Sequence, residues 1–167
     1  MSADGVPSDG DRLRLGTRGS ALALRQSGMI AAELERRGTP VETVVIRTSV
    51  VYGPERQEKN SVYQLIRACR EGKGFRLAVD QRTSPSYNPD VAAASLELCE
   101  RGLAGLWHIA GPEVLDRYAF ALLICKEFAL DASRLTAIPT AALGQKAPRP
   151  LDGGLKVAKA QAHLTTK

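Results

Sequence analysis

What most constrains this chain is a regular exchange of two hydrophobic periods along its length. Short runs that are β-branched, or that alternate apolar with polar residues, give way across Gly, Pro, Asn or Asp to longer runs with helical spacing. A chain patterned this way folds as α/β. R-L-R-L-G predicts a strand with Leu13 and Leu15 on one face. Ser20 predicts the N-cap of a helix reaching to about Arg37, with Leu22, Met29, Ile30 and Leu34 on one face and Gly38 ending it. V-E-T-V-V-I-R-T predicts a buried strand. Asn60 then caps a helix whose Val62, Leu65, Ile66 and Cys69 keep helical spacing, and Phe75, Leu77 and Val79 alternate as a half-buried strand. Asn88 predicts an N-cap with Pro89 at the first helical position of a helix to about Arg101. A short strand over 106–109, a helix over 115–128 with Tyr118, Leu122, Cys125 and Ala129 on one stripe, and a strand over 135–138 complete the pattern. Connections of this kind favour parallel pairing, and a parallel sheet needs both faces covered. The tail after residue 155 is weakly helical at best.

Composition excludes several classes. With 44% hydrophobic and 25% charged residues, the 167-residue chain is neither disordered, collagen-like nor a disulfide scaffold. No run approaches the roughly 20 apolar residues that span a bilayer. The polar opening MSADGVPSDGDR has no apolar core of a secretory signal, so a cytoplasmic location is expected and 1–11 read as a disordered lead-in. Cys69, Cys99 and Cys125 all fall inside helical patterns and read as free thiols. Two histidines and three dispersed cysteines offer no metal-ligand spacing, so no metal is expected. His108 beside Trp107 reads as a core or interface histidine. The net charge of +5 suggests a phosphate-bearing partner. Scattered basic residues and 5% aromatics argue against nucleic acid, and no membrane partner is expected. The oligomeric state is left open.

Two stretches resemble known families. Gly16, Thr17, Arg18, Ser20, Leu22, Ala23 and Gln26 follow the Gly-Thr-Arg-x-Ser-x-Leu-Ala-x-x-Gln pattern, and residues 12–46 resemble the N-terminus of hydroxymethylbilane synthase. That resemblance implies that Arg18 and Ser20 hold carboxylates of a dipyrromethane cofactor, chemistry suited to a guanidinium and a hydroxyl at a helix N-terminus. Later landmarks of that family are missing: Ser49-Val50 stands where it has Gly-Asp, and no cysteine sits in a cofactor-attachment context.

Residues 47–155 carry R-T-S-V-V-Y-G, then Asn60, V-D-Q-R-T-S-P-S-Y-N-P-D-V-A, G-L-W-H-I-A-G-P-E, R-Y-A-F-A and R-P-L. In that order and spacing they resemble the C-terminal part of dTDP-4-dehydrorhamnose reductase, an extended short-chain dehydrogenase/reductase. The resemblance implies one strand of a Rossmann-like sheet plus the smaller sugar-nucleotide lobe. It implies Thr48, Ser49, Tyr52, Asn60, Gln81 and Pro85 as substrate-lining residues. Arg82 and Arg149, the latter near Lys146, would meet the diphosphate of a weakly bound nucleotide sugar.

Together these readings describe a composite chain: a lead-in over 1–11, a strand–helix–strand unit over 12–49, a substrate-binding region over 50–155 and a tail over 156–167. The expected fold is a partial Rossmann-like reductase substrate lobe with an appended strand–helix–strand unit. No catalytic residue is assigned. The reductase chemistry needs Tyr-x-x-x-Lys, but Tyr52, Tyr63, Tyr87 and Tyr118 are followed four residues on by Arg56, Arg67, Val91 and Leu122. The dinucleotide fingerprint fails too: Arg18 separates Gly16 from Gly19, and Leu22 and Ala23 stand where a third glycine belongs. Complete members of the family use NAD(P), and no cofactor is expected in this chain. The expectation is an incomplete sugar-nucleotide reductase relative, inactive alone. The alternatives are a hydroxymethylbilane synthase fragment and a non-catalytic interaction module.

Overall fold

The structure is a computed structural model that describes residues 12–18 and 20–166. The lead-in expected over 1–11 lies outside the described residues. The chain is mixed α/β with parallel strand pairing and forms two compact units that interleave in sequence.

The first unit holds the described residues up to Arg47, then Asp90–Ile109 and the chain from Val157. Strand β1 (Leu13–Thr17) leads through helix α1 (Ala21–Arg36) to β2 (Val41–Arg47). Later, β7 (Gly105–His108) completes a parallel sheet of order β1-β2-β7, with Leu13 opposite Val41 and Val44 opposite Gly105. Helices α3 (Asn88–Glu100) and α5 (Ala158–His163) supply the rest. The core joins Val44, Ala94, Leu98, Trp107, Ile109, Ala160 and Leu164. Strand period two turns Val44 and Ile46 into it, and Val91, Ala94 and Leu98 follow helical spacing on α3. Glu97 fastens the C-terminal end: its carboxylate accepts the backbone N–H groups of Thr165 (2.8 Å) and Thr166 (3.0 Å) and pairs with Arg101.

Helix α1 departs from its predicted orientation. Ser20 caps it as expected, its Oγ accepting from Ala23 N at 3.3 Å. Yet Leu22 (65% exposed), Met29 (68%) and Ile30 are exposed, while Ala23 is buried and Ser27, Ala31 and Leu34 are half-buried. The inward stripe is set by polar anchors: Ser27 Oγ donates to Thr17 Oγ1 at 2.7 Å, and Thr17 Oγ1 donates to the Ala23 carbonyl at 3.3 Å. The largest apolar side chains are therefore on the opposite stripe.

The second unit spans Thr48–Pro89 and Ala110–Lys156. Strand β3 (Val51–Tyr52) precedes α2 (Ser61–Arg70), β4 (Phe75–Ala78), β5 (Arg82–Thr83) and β6 (Ser86–Tyr87). After the excursion through the first unit come β8 (Leu115–Asp116), α4 (Arg117–Glu127), β9 (Leu135–Ile138) and β10 (Asp152–Gly153). β4 pairs with β9 and β3 with β6, all parallel, and β5 lies between β10 and β8. The core contains Val62, Leu65, Leu77, Ala121, Ile124, Cys125 and Leu135, with Ile66 and Cys69 packed on it, as the spacing of α2 predicts. Burial and the neighbouring Cys69 push the Cys125 thiol up to about 11, so it stays protonated.

The α4 stripe is corrected. Tyr118 and Cys125 join the core, but Leu122 is exposed and Ala129 lies past the helix end at φ +50°. Ala121 and Ile124 take the inward positions instead. Asn88 is also corrected: it is the first residue of α3, and its Nδ2 donates to the Pro54 carbonyl at 2.6 Å instead of capping the helix. Two glycines are fixed by close approach. A Cβ on Gly53 (φ +125°) would run into Asn88 Oδ1 and the Tyr87 ring, and one on Gly111 would run into the Pro85 carbonyl.

Candidate functional site

The second unit brings together the two segments singled out from sequence. β3 pairs in parallel with β6, setting Val51 opposite Ser86 and Tyr52 opposite Tyr87. The buried Ser86 hydroxyl donates to the Ser49 carbonyl at 2.7 Å, and Ser86 N donates to the Val50 carbonyl at 3.2 Å. Residues 48–52 and 81–87 thus form one framed surface.

Beside this frame is a small open cleft of about 20 Å³, lined by Val50, Ser61, Thr83, Arg117, Phe120 and Ile124. Ser61 and Arg117 are the first residues of α2 and α4, so two helix N-termini border it. Neither helix has an acidic residue in its first turn. Asn60 caps α2 through Oδ1, which accepts from Val62 N and Tyr63 N, and Asp116 caps α4 through Oδ1, which accepts from Ala119 N at 2.8 Å. Val50 holds φ +42°, a left-handed conformation in which a β-branched residue is strained. Phe120 packs against Tyr52 with centroids 5.3 Å apart, and Tyr52 lies 5.8 Å from Tyr87.

Gln81 is 3% exposed. Its Oε1 accepts from Arg117 Nη1 at 3.0 Å, while its buried Nε2 has no partner. An unsatisfied buried donor costs about 1–3 kcal/mol. The Thr48 hydroxyl is likewise buried and unpartnered. Among the described residues, the half-buried Arg117 makes no ion pair; Gln81 is its hydrogen-bond partner.

The other sequence candidates fall as follows. Ser49 contributes its carbonyl to the Ser86 bond. Asn60 is engaged on both sides, its Nδ2 donating to the Gly53 carbonyl at 3.0 Å. Pro85 is buried against Gly111. Arg82 and Arg149 are exposed, and Arg82 N donates to the Leu151 carbonyl at 2.7 Å. In the first unit, Ser20 is occupied as the cap of α1 and Arg18 is exposed. Arg117, Ser61 and Val50 were missed. Arg117 sits in R-Y-A-F-A, a stretch quoted for its resemblance, but nothing in its spacing ties it to Gln81, 36 residues away. No group of described His, Cys, Asp or Glu residues could hold a metal, and no described helix is long and apolar enough to cross a membrane.

Comparison with known proteins fixes the class. The fold is that of Rossmann-like reductases: the crystal structure of dTDP-4-dehydrorhamnose reductase from Bacillus anthracis in complex with NADP matches at TM-score 0.70 and 19% identity, over 92% of this chain and 59% of that one. Residues 29–167 match the RmlD substrate binding domain family, and the chain belongs to it. The spore coat polysaccharide biosynthesis protein SpsK of Bacillus subtilis is 32% identical over 114 residues, 68% of this chain and 39% of that protein. dTDP-4-dehydrorhamnose reductase of Mycobacterium tuberculosis is 32% identical over 111 residues, 65% of this chain and 36% of that protein. The chain thus spans about two fifths of the length of these curated relatives. The family match begins at Met29, inside α1, and so reaches well before Arg47.

Proposed function

We propose that this chain is a nucleotide-sugar-binding segment of a dTDP-4-dehydrorhamnose reductase-like protein and does not turn over substrate by itself. The observation that carries the reading is the β3–β6 pairing, which sets Tyr52 and its neighbours beside the Gln81–Tyr87 segment in one unit of an RmlD-family chain. Thr48, Ser49, Tyr52, Asn60, Gln81 and Pro85 shape the sugar-nucleotide surface, and Arg82 and Arg149 supply positive charge at its margin. Tyr52 offers an aromatic face, and the buried Thr48 hydroxyl and Gln81 Nε2 have no partner within the chain.

Complete relatives of this kind work with a nicotinamide dinucleotide, but the β1–α1 turn fits that group poorly. The bulky Arg18 stands between Gly16 and Gly19, and the Thr17 and Ser20 hydroxyls are already engaged within the chain. With no Tyr-x-x-x-Lys in the chain, no hydride-transfer step is derived for it.

A ligand-observed NMR titration tests the reading, with dTDP-glucose, NADPH and porphobilinogen run side by side. Broadening with dTDP-glucose alone supports it, as does the absence of NADPH oxidation in the presence of dTDP-4-dehydrorhamnose. Broadening with porphobilinogen alone, together with a dipyrromethane-sized mass adduct on a cysteine, would move the assignment to Arg18 and Ser20 of the first segment.

A further inference from the structure

We propose that Cys69 and Cys125 form an oxidant-sensitive dithiol site, which hydrogen peroxide converts to an intramolecular disulfide that staples α2 to α4. This inference goes beyond the nucleotide-sugar reading and does not depend on it.

The topology brings the two cysteines together. α2 leads into β4 and α4 leads into β9, and β4 and β9 are parallel neighbours with Phe75 opposite Leu135. Each helix runs back along its sheet before the strand begins, so the two helices point the same way. Their first residues, Ser61 and Arg117, border one small cleft, and Cys69 and Cys125 each lie eight residues further on, about 12 Å along the axis. Both cysteines therefore sit in the last turn of their helix, at the same end of the pair. They also share one apolar cluster: Cys125 is buried with Val62, Leu65, Ala121 and Ile124, and the half-buried Cys69 packs against that group. The two thiols act on each other directly. Burial, then the charge and hydrogen bond of Cys69, hold the Cys125 thiol above its ordinary range.

The pair is unequal in access, which sets the order of events. Cys125 is 2% exposed and stays protonated, whereas Cys69 is half-buried. The more accessible thiol meets the oxidant first. The Cys69 sulfur attacks one peroxide oxygen, the O–O bond breaks, and the other oxygen leaves as water with the thiol proton. Cys69 is now a sulfenic acid. The Cys125 sulfur displaces the sulfenic oxygen, which leaves as a second water with the Cys125 proton. Two thiols are oxidised to one disulfide, and the peroxide is reduced to two waters. The chain between the cysteines contains β4, β5, β6, α3 and β7, so the closed loop carries the 81–87 segment of the frame. Closing a long loop removes freedom from the unfolded chain and stabilises the folded one.

The test is peptide mass spectrometry of the full chain after hydrogen peroxide at neutral pH, with free thiols blocked and no reductant present. Parent protein is compared with Cys99→Ser and Cys69→Ser, and a thermal melt before oxidation identifies any variant that fails to fold. The expected result is a Cys69–Cys125 cross-linked peptide, lighter by two hydrogens, in both parent and Cys99→Ser. Dithiothreitol should reverse it, and the cross-link should raise the melting temperature by about 5 °C or more. Cys125 should stay reduced in Cys69→Ser. Oxidation of Cys69 to a sulfinic acid in the parent with Cys125 left reduced would overturn the proposal. So would a link that forms only in denaturant, a disulfide that uses Cys99 instead, or no reaction at either residue. A cross-link that lowers the melting temperature would overturn the staple, because the native packing could not then hold it.

Discussion

Arg117 and Gln81, 36 residues apart in sequence, meet through a 3.0 Å hydrogen bond in which the guanidinium donates to the amide oxygen. The bond ties the start of α4 to the residue preceding β5, and it leaves the buried Gln81 Nε2 without a partner.

Gln81→Leu checks the energetics of this pair. It removes a bond to a charged group, worth about 1.5–3 kcal/mol, but also removes an orphaned amide that costs about 1–3 kcal/mol. The two effects oppose each other, so urea unfolding is expected to show a change under about 1 kcal/mol. A loss above about 3 kcal/mol would mean that Nε2 has a partner in solution.

Val50→Gly is expected to stabilise the protein. The strain of a β-branched residue at φ +42° is about 1–3 kcal/mol, and the entropy lost by glycine on folding is about 0.5–1 kcal/mol. The net gain is about 1 kcal/mol, read from a thermal melt followed by circular dichroism. A lower melting temperature would mean that Val50 packing outweighs the strain.

Gly111→Ala acts in the other direction. Its Cβ would press on the Pro85 carbonyl, a backbone group that cannot rotate away. Overpacking of this kind costs about 1–3 kcal/mol, and urea unfolding should place this substitution near the upper end. A neutral result would mean that residues 84–86 shift freely.

Acid should loosen the C-terminal end of the first unit. The Thr165 and Thr166 backbone donors, followed by Arg101, lower the Glu97 pKa from the usual 4.5 to about 2. A carboxylate whose folded pKa is depressed adds stability that is full above its unfolded pKa and lost as pH falls to the folded one. The window is therefore pH 4.5 to 2. The single tryptophan, Trp107, packs edge-on against His163 of α5 and is the natural fluorescence probe. Parent protein should show a fluorescence transition in that window, and Glu97→Gln should remove the Glu97 contribution to it. Equal pH responses would place these contacts outside the folded-state energetics.

Much of the fold was legible in the sequence because most elements carry their own signals. Ser20 and Asn60 cap α1 and α2 as read, and Val62, Leu65, Ile66 and Cys69 face inward at helical spacing. The orientation of α1 was not legible. Thr17 and Ser27 decide which stripe meets the sheet, and hydrophobic counting cannot see a hydroxyl pair ten residues apart. At the site, the juxtaposition of 48–52 with 81–87 came from resemblance, and the β3–β6 pairing supplies its physical basis. Arg117 stayed hidden because its bond to Gln81 spans 36 residues and has no local pattern. Val50 stayed hidden because β-branched residues are the last expected at positive φ.

The outward stripe of α1 gives a further expectation. Leu22→Lys, Met29→Glu and Ile30→Lys together replace exposed apolar surface and should raise the concentration at which the protein stays monodisperse, with little change in melting temperature. A melting temperature lowered by more than about 5 °C, equivalent to roughly 1 kcal/mol or more, would mean that this stripe is covered in solution.

The most direct measurement of the central claim is a nitrogen–proton correlation spectrum of the labelled chain, titrated with dTDP-glucose. The account predicts saturable shifts concentrated at Val50, Ser61, Gln81, Thr83 and Arg117, around the cleft and the β3–β6 frame. Shifts concentrated at Thr17, Arg18 and Ser20, or none at saturating ligand, would contradict it.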